Sequence, residues 1–287
     1  MKKESLEKIM KIVFTLAAMT SILALLLICV FIFSEGLPFI GEYGLGNFIL
    51  GRDWKPGNTP ASYGILPMIL GSVYITLGAV AIGVPIGILT ATYLAKFTSA
   101  RLYRFLKPAI NLMAGIPSII YGFFALSFIV PLVRSIFGGS GMNIISGSLL
   151  LGIMILPTVI SISESAIRTV PSAYYEGSIA LGASHEKAVM SVVLPAAKSG
   201  IISSVILAVG RAIGETMAVI LVTGNQARMP AGITKGVRTL TSNIVIEMAY
   251  AADVHREALI ATAAVLFIFI LFINALFVIV KRRALID

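Results

Sequence analysis

Charge is scarce in this 287-residue chain: Asp, Glu, Lys and Arg together make up 12% of it, against 58% hydrophobic residues, and the mean hydropathy is +0.99. Soluble domains carry about twice that charged share to cover their surface, so a water-soluble globule is excluded. Cysteine is nearly absent too. Cys29 stands alone inside an apolar run, which rules out a disulfide framework or a thiol pair. His185 and His255 are far apart and outside any metal-ligating spacing, so each reads as a satisfied or solvated side chain, and no metal or cofactor is expected. No G-x-x-x-x-G-K-[ST] occurs, so any ATP is hydrolysed on another chain and this one is not expected to be an enzyme.

Uncharged apolar runs are abundant. Residues 12–33, 65–95, 108–133, 135–163, 199–222 and 258–280 are each long enough to cross a bilayer, the fifth only if a charged pair within it is tolerated. The reading is all-α: a polytopic bundle of six transmembrane helices forming one domain over residues 1–287. The first run follows Lys2 and Lys3 but is too long for a signal-peptide core, and no small-residue cleavage site follows, so it reads as a retained anchor. Gly and Pro interrupt several runs: Pro85, Gly115 and Pro117, Gly122, and Pro157 fall at membrane depth, where proline removes a backbone hydrogen bond and small residues allow close helix packing.

The net charge of +9 would suggest nucleic acid in a soluble protein, but its distribution follows the loops. On one side lie Lys2, Lys3, Lys8 and Lys11, then Lys96, Arg101, Arg104 and Lys107, then Arg168, Lys187 and Lys198, then Lys281, Arg282 and Arg283. The other side has Arg52, Lys55, Arg134, Arg228, Lys235, Arg238 and Arg256. The twofold excess marks the first side as cytoplasmic, with both termini on it in a cell membrane. The outer loops are then about 34–64 and 223–257. The first contains the single tryptophan, Trp54, which reads as an interfacial aromatic anchor rather than a docking contact.

Arg211 is left over. With Glu215 it lies in GRAIGET, inside a run from Ser199 to Ala227 that has no other charge. A lone charge at mid-span costs ~2.5 to 3.5 kcal/mol on insertion scales, so this pair needs a reason. On a continuous helix a spacing of four puts both side chains on one face, able to neutralise each other beside a bundle interior or a watery path. A structural ion pair and a substrate path both satisfy that pattern.

The cytoplasmic loop from about 164 to 198 is long for a bundle connection. Tyr175 to Leu181 favours a helix, Gly182 supplies a left-handed stop, Ser184 caps a second helix with Glu186 in its first turn, and Pro195 ends it. The result is two short helices around a tight turn at the inner membrane surface.

Within that loop Glu176, Gly177, Ser178, Gly182, Val192, Leu194 and Pro195 resemble the E-A-A-x3-G-x9-I-x-L-P motif of ABC-importer permeases, with Gly and Ser for the alanines and Val for Ile. GRDW at 51–54, LKP at 106–108, AGIPSIIYGFF at 114–124, ILPT at 155–158, RAIGETMAV at 211–219 and VRTLT at 237–241 narrow the resemblance to the phosphate-specific PstC family. It implies the type I permease fold of those importers, a coupling helix that includes Glu176, Gly177 and Gly182 and ends near Pro195, and one half of a translocation pathway. The implied partners are a homologous permease of the PstA type, two ATPase subunits of the PstB type and an external phosphate-binding protein of the PstS type.

A phosphate path suits Arg211, because the guanidinium is a permanently charged planar fork that pairs with oxyanions, while Glu215 would compete for it or accept a proton from monohydrogen phosphate. Two other readings stay open: a permease for sulfate, molybdate or tungstate, and an ATP-independent channel or secondary transporter using the pair as gate or proton relay. A membrane scaffold without transport is disfavoured by the charged pair.

Overall fold

The computed structural model describes residues 2–283, and side chains over 6–279. The basic side chains at both ends, Lys2 and Lys3 and Lys281 to Arg283, lie outside that range. Apart from one two-stranded hairpin and an isolated bridge between Gly224 and Val237 in the loop 223–239, the regular structure of the described residues is helical. Helix α1 (Lys2–Tyr43) and α2 (Leu45–Leu50) lead into β1 (Trp54–Lys55) and β2 (Ser62–Tyr63), antiparallel with Trp54 opposite Tyr63. Then come α3 (Leu66–Thr92), prolonged by a π-helical turn to Phe97, and α4 (Ala100–Gly115). A broken helix follows: α5 (Ser118–Phe124), a second wide turn and α6 (Val130–Phe137). The rest is α7 (Ile144–Thr169), α8 (Ser172–Ala180), α9 (His185–Ala188) running through a third wide turn into α10 (Leu194–Ala196), α11 (Lys198–Gly214), α12 (Met217–Val222), α13 (Leu240–Met248) and α14 (Asp253–Arg283).

Among the described residues five helical segments are long and apolar enough to cross a membrane: Leu6–Tyr43, Leu66–Phe97, Ser118–Phe137, Ile144–Thr169 and Asp253–Ile279. The bent pair His185–Ala196 and Lys198–Gly214 brings the total to six, if it makes one span. Several expected boundaries move. The first helix continues ten residues past the expected end at 33 and reaches Tyr43, so the first outer segment is partly helical. The expected span 108–133 is two helices. Pro117 confines Ile116 to an extended conformation, φ −69° and ψ 127°, which ends α4 and lets Ser118 start afresh. The next turn is made by Gly138 to Asn143, and α7 begins at 144 rather than 135, with the Asn143 side chain accepting from the Ser146 amide.

The core seam is α3 against α7. Three small positions let the backbones close: a Cβ on Gly83 would sit 2.6 Å from the Gly152 carbonyl, one on Gly87 would meet Val159 at the same distance, and Gly78 abuts Ser148. Pro85 and Pro157 sit inside these helices without ending them. Gly122 serves packing as well, since a Cβ there would lie 2.8 Å from Leu221 and 3.0 Å from the Ala218 backbone of α12. Around this seam lie two satellite cores. One gathers Phe39, Phe48, Trp54, Tyr63, Leu240 and Leu259 at the hairpin end, and the other Leu94, Ile110, Ile167, Val193 and Ala197 at the α8 end.

Candidate functional site

The expected charged pair is geometrically different from an i,i+4 pair. Helix α11 stops at Gly214, and Glu215 is already extended, with φ −69° and ψ 133°. Glu215 faces the next helix: its carboxylate accepts from the Ala218 amide at 3.2 Å, and its carbonyl accepts from the Thr241 hydroxyl at 3.0 Å. Those two bonds satisfy groups that the broken span would otherwise leave bare at membrane depth, where an unpaired backbone group costs several kcal/mol. No ion pair joins Glu215 to Arg211 among the described residues.

Arg211 is therefore left with little. Its recorded bond is a long one, Nη1 donating to the Thr158 hydroxyl of α7 at 3.4 Å. It is exposed on a face of α11 shared with half-exposed Leu207, and with Met217 just past the break. The virtual Cβ positions of Gly210 and Gly214 meet nothing within 4 Å, so this face is open space in the single chain. A permanently charged guanidinium on an open face in the last turn of α11 can receive an anion, or a partner that brings one.

At the α8 end the expected two-helix tip forms. Helix α8 starts at Ser172, three residues early, and closes in a paired terminal turn: Gly182 at φ +84° donates to the Ile179 carbonyl and Ala183 to that of Ser178. The Ser184 hydroxyl then accepts from the Lys187 amide to cap α9. The Glu186 carboxyl is held below its usual range by its own backbone amide and then the Ser184 hydroxyl. Tyr175 and His185 tie the two helices together through a 2.8 Å bond, which makes His185 a satisfied histidine. None of α8 is buried, Glu176 and Gly177 face outward, and Leu181 at the tip is 91% exposed. Pro195 does not end its helix; the chain passes through Ala196 and turns by 68° into α11 at Ala197.

Sequence reasoning missed two charged clusters. At the hairpin end Trp54 is buried, not an interfacial anchor: its Nε1 donates to Glu247 at 2.8 Å. Arg238 Nη1 donates to the other Glu247 oxygen and to Asn243, and His255 Nε2 lies 2.8 Å from the oxygen that Trp54 uses. Burial and then the Glu247 carboxylate push the nearby Tyr250 phenol above its usual range. The second cluster, Lys107, Glu164 and Arg168, lies at the α8 end. An i,i+4 Glu–Arg spacing was the available signal for its core.

Comparison with known proteins places this arrangement. The family model of the binding-protein-dependent transport system inner membrane component matches residues 83–286. The chain belongs to this family. It is 33% identical over 275 residues to the probable ABC transporter permease protein YqgH of Bacillus subtilis, covering 93% of this chain and 89% of that one. It is 32% identical to the phosphate transport system permease protein PstC of Mesorhizobium japonicum, covering 87% and 82%, and 33% identical to the probable PstC of Methanocaldococcus jannaschii, covering 98% and 96%. In fold it resembles a chain of a bacterial alginate ABC transporter, with a TM-score of 0.64 at 15% identity over 94% of both chains. A chain of the inward-facing MetNI methionine transporter gives 0.61 at 18%, covering 77% of this chain and 95% of that one. The family member described here is a multi-pass membrane protein with the helical fold of ABC-importer permeases.

Proposed function

We propose that this chain is one membrane subunit of an ATP-driven phosphate importer, and that residues 1–287 act as a single permease domain forming half of the pathway. The observation that carries the reading is Arg211, a fixed cation without a carboxylate partner on an open face of a broken span. Its relatives named for phosphate transport supply the substrate class. Arginine presents a planar fork to the tetrahedral oxyanion. Glu215, at the helix end just beyond it, competes for that fork or accepts the proton of monohydrogen phosphate, which keeps binding weak enough for release. The missing wall of the path is a homologous permease of the PstA type. An external PstS-type protein delivers phosphate, and two PstB-type ATPases receive the exposed tip containing Glu176, Gly177 and Gly182, with Pro195 behind it. ATP is hydrolysed on those partners.

Uptake of labelled phosphate, at matched membrane abundance and against excess sulfate, molybdate or tungstate, is the test. Arg211→Lys should assemble and transport at least about tenfold less, because the point charge loses the fork. The Arg211→Ala, Glu215→Ala double variant should also assemble without transporting. Near-normal uptake by the double variant removes the pathway role, and competition by the other oxyanions removes the substrate assignment. The basic residues favour a cytoplasmic α8 end with both termini on that side. In a Cys29→Ser background, Lys55→Cys and Lys235→Cys should react with an impermeant thiol reagent on intact cells, and Lys187→Cys should not; the reverse pattern inverts the orientation.

A further inference from the structure

The Thr158 contact of Arg211 begins a polar stripe. Thr158, Ser161, Ser165 and Thr169 follow one another at spacings of three and four, so they share one face of α7 over about 16 Å of helix. At the α8 end this stripe opens into a cavity of about 330 Å³, where Ser161, Ser165 and Thr169 stand beside Lys107 and Arg168. Lys107 Nζ donates to Glu164 at 2.7 Å and reaches the Ser161 hydroxyl at 3.5 Å. Arg168 Nε donates to the other Glu164 oxygen at 2.8 Å, Nη2 donates to the Leu94 carbonyl, and the guanidinium lies 4.5 Å over the Tyr103 ring.

Two details separate this cluster from a structural ion pair. One carboxylate faces two cations, which leaves a positive charge over. The carboxylate is sealed, its side chain 2% exposed, whereas those of Lys107 and Arg168 are 24% and 43% exposed. Arg168 Nη1 makes no hydrogen bond among the described residues. The surplus charge, a free donor and the Ser161 and Ser165 hydroxyls thus share one cavity, on the same helix face as the Arg211 contact, while the Thr169 hydroxyl at its edge donates to the Ser165 carbonyl at 2.6 Å.

We propose that this cavity is a second oxyanion station, where phosphate leaving Arg211 is held by Lys107, Arg168 Nη1 and the Ser161 and Ser165 hydroxyls before release. Glu164 competes for both cations and keeps the hold weak. The inference rests on the reading of Arg211 as the first anion contact. A lipid headgroup shares the phosphate chemistry, but the hydroxyl stripe leads toward Arg211, which favours the transported ion.

The test uses the purified assembled complex in phosphatidylcholine vesicles, with Thr169→Cys at the cavity edge in a Cys29→Ser background and an uncharged maleimide reaching the α8 end. Inorganic phosphate at twice its Kd should slow labelling about threefold by occupancy alone, and equal chloride should not. The triple variant Lys107→Gln, Glu164→Gln, Arg168→Gln removes both cations together with the carboxylate they share, so no charge is left buried and unpaired; the station predicts loss of protection. Arg211→Lys should keep the protection while uptake falls. Absence of protection in the parent, or equal protection in the triple variant, overturns the station. So does slowing that requires added phosphatidylglycerol instead of phosphate, which would assign the cavity to a lipid. If protection is absent while Arg211→Lys still loses uptake, only this inference fails; if Arg211→Lys transports normally, the reading beneath it fails.

Discussion

Two arginines in this chain have opposite fates. Arg238 is mostly enclosed at the hairpin end, its side chain 14% exposed, with its guanidinium bonded to buried Glu247, to Asn243 and to the Asn225 carbonyl, and Glu247 is further met by Trp54 and His255. Arg211 is exposed in the last turn of α11, beside the break in its span, with one long bond to Thr158. The α8 tip resembles the second case, with nothing buried and Leu181 standing out. A satisfied charge far from solvent joins segments of the chain; an unsatisfied one at membrane depth awaits something the chain does not itself provide. Stability changes should concentrate at the first kind of place, and functional changes at the second.

The strongest attempt to break that contrast is Glu247→Leu, which strands Arg238 and leaves Trp54 and His255 without their acceptor. A loss of ~3 to 5 kcal/mol is expected, read as a large drop in folded protein on thermal unfolding in detergent. A mild effect would make the knot ornamental. Gly182→Trp comes next: a bulky side chain at φ +84° should cost ~1 to 2 kcal/mol, leave the chain in the membrane and abolish substrate-stimulated ATP hydrolysis by the complex. Stimulated hydrolysis at the parental rate would clear the tip of any coupling role. Trp54→Phe should cost only ~1 kcal/mol, since Glu247 keeps two other partners. Smallest of all, Arg211→Lys should move the unfolding midpoint by no more than ~0.5 kcal/mol equivalent while uptake falls, and a larger shift would put Arg211 with Arg238.

What the sequence made legible was local or compositional. Hydropathy alone gives the membrane class, and the order Gly182, Ser184, Glu186 spells out a stop and a start because each residue acts on its own backbone neighbours. The break at Glu215 was not legible. A helix through Gly214 to Met217 looks permissible until Thr241, 26 residues away, is placed to satisfy the Glu215 carbonyl. Trp54 failed as an anchor for the same reason, since its acceptor Glu247 lies 193 positions along the chain. Lys107 likewise meets the Glu164–Arg168 pair of α7 only after α4 folds against that helix. The candidate site could be named from its residue types, but which carboxylate each cation faces is decided by tertiary contacts.

The 68° turn at buried Ala197 gives this part of the molecule the shape of a lever. Helices α9 and α10 form one arm of a bell crank, joined to the tip through the Tyr175–His185 bond, and α11 as far as Arg211 forms a second arm of similar length. Arg211 sits thirteen residues along that arm, ~20 Å from the pivot, so a tilt of about 10° would carry it ~3.5 Å. That sweep is as long as the bond it makes to Thr158. A push too small to unpack any helix at the pivot would thus be enough, at the far end, to exchange one hydrogen-bonding partner for another.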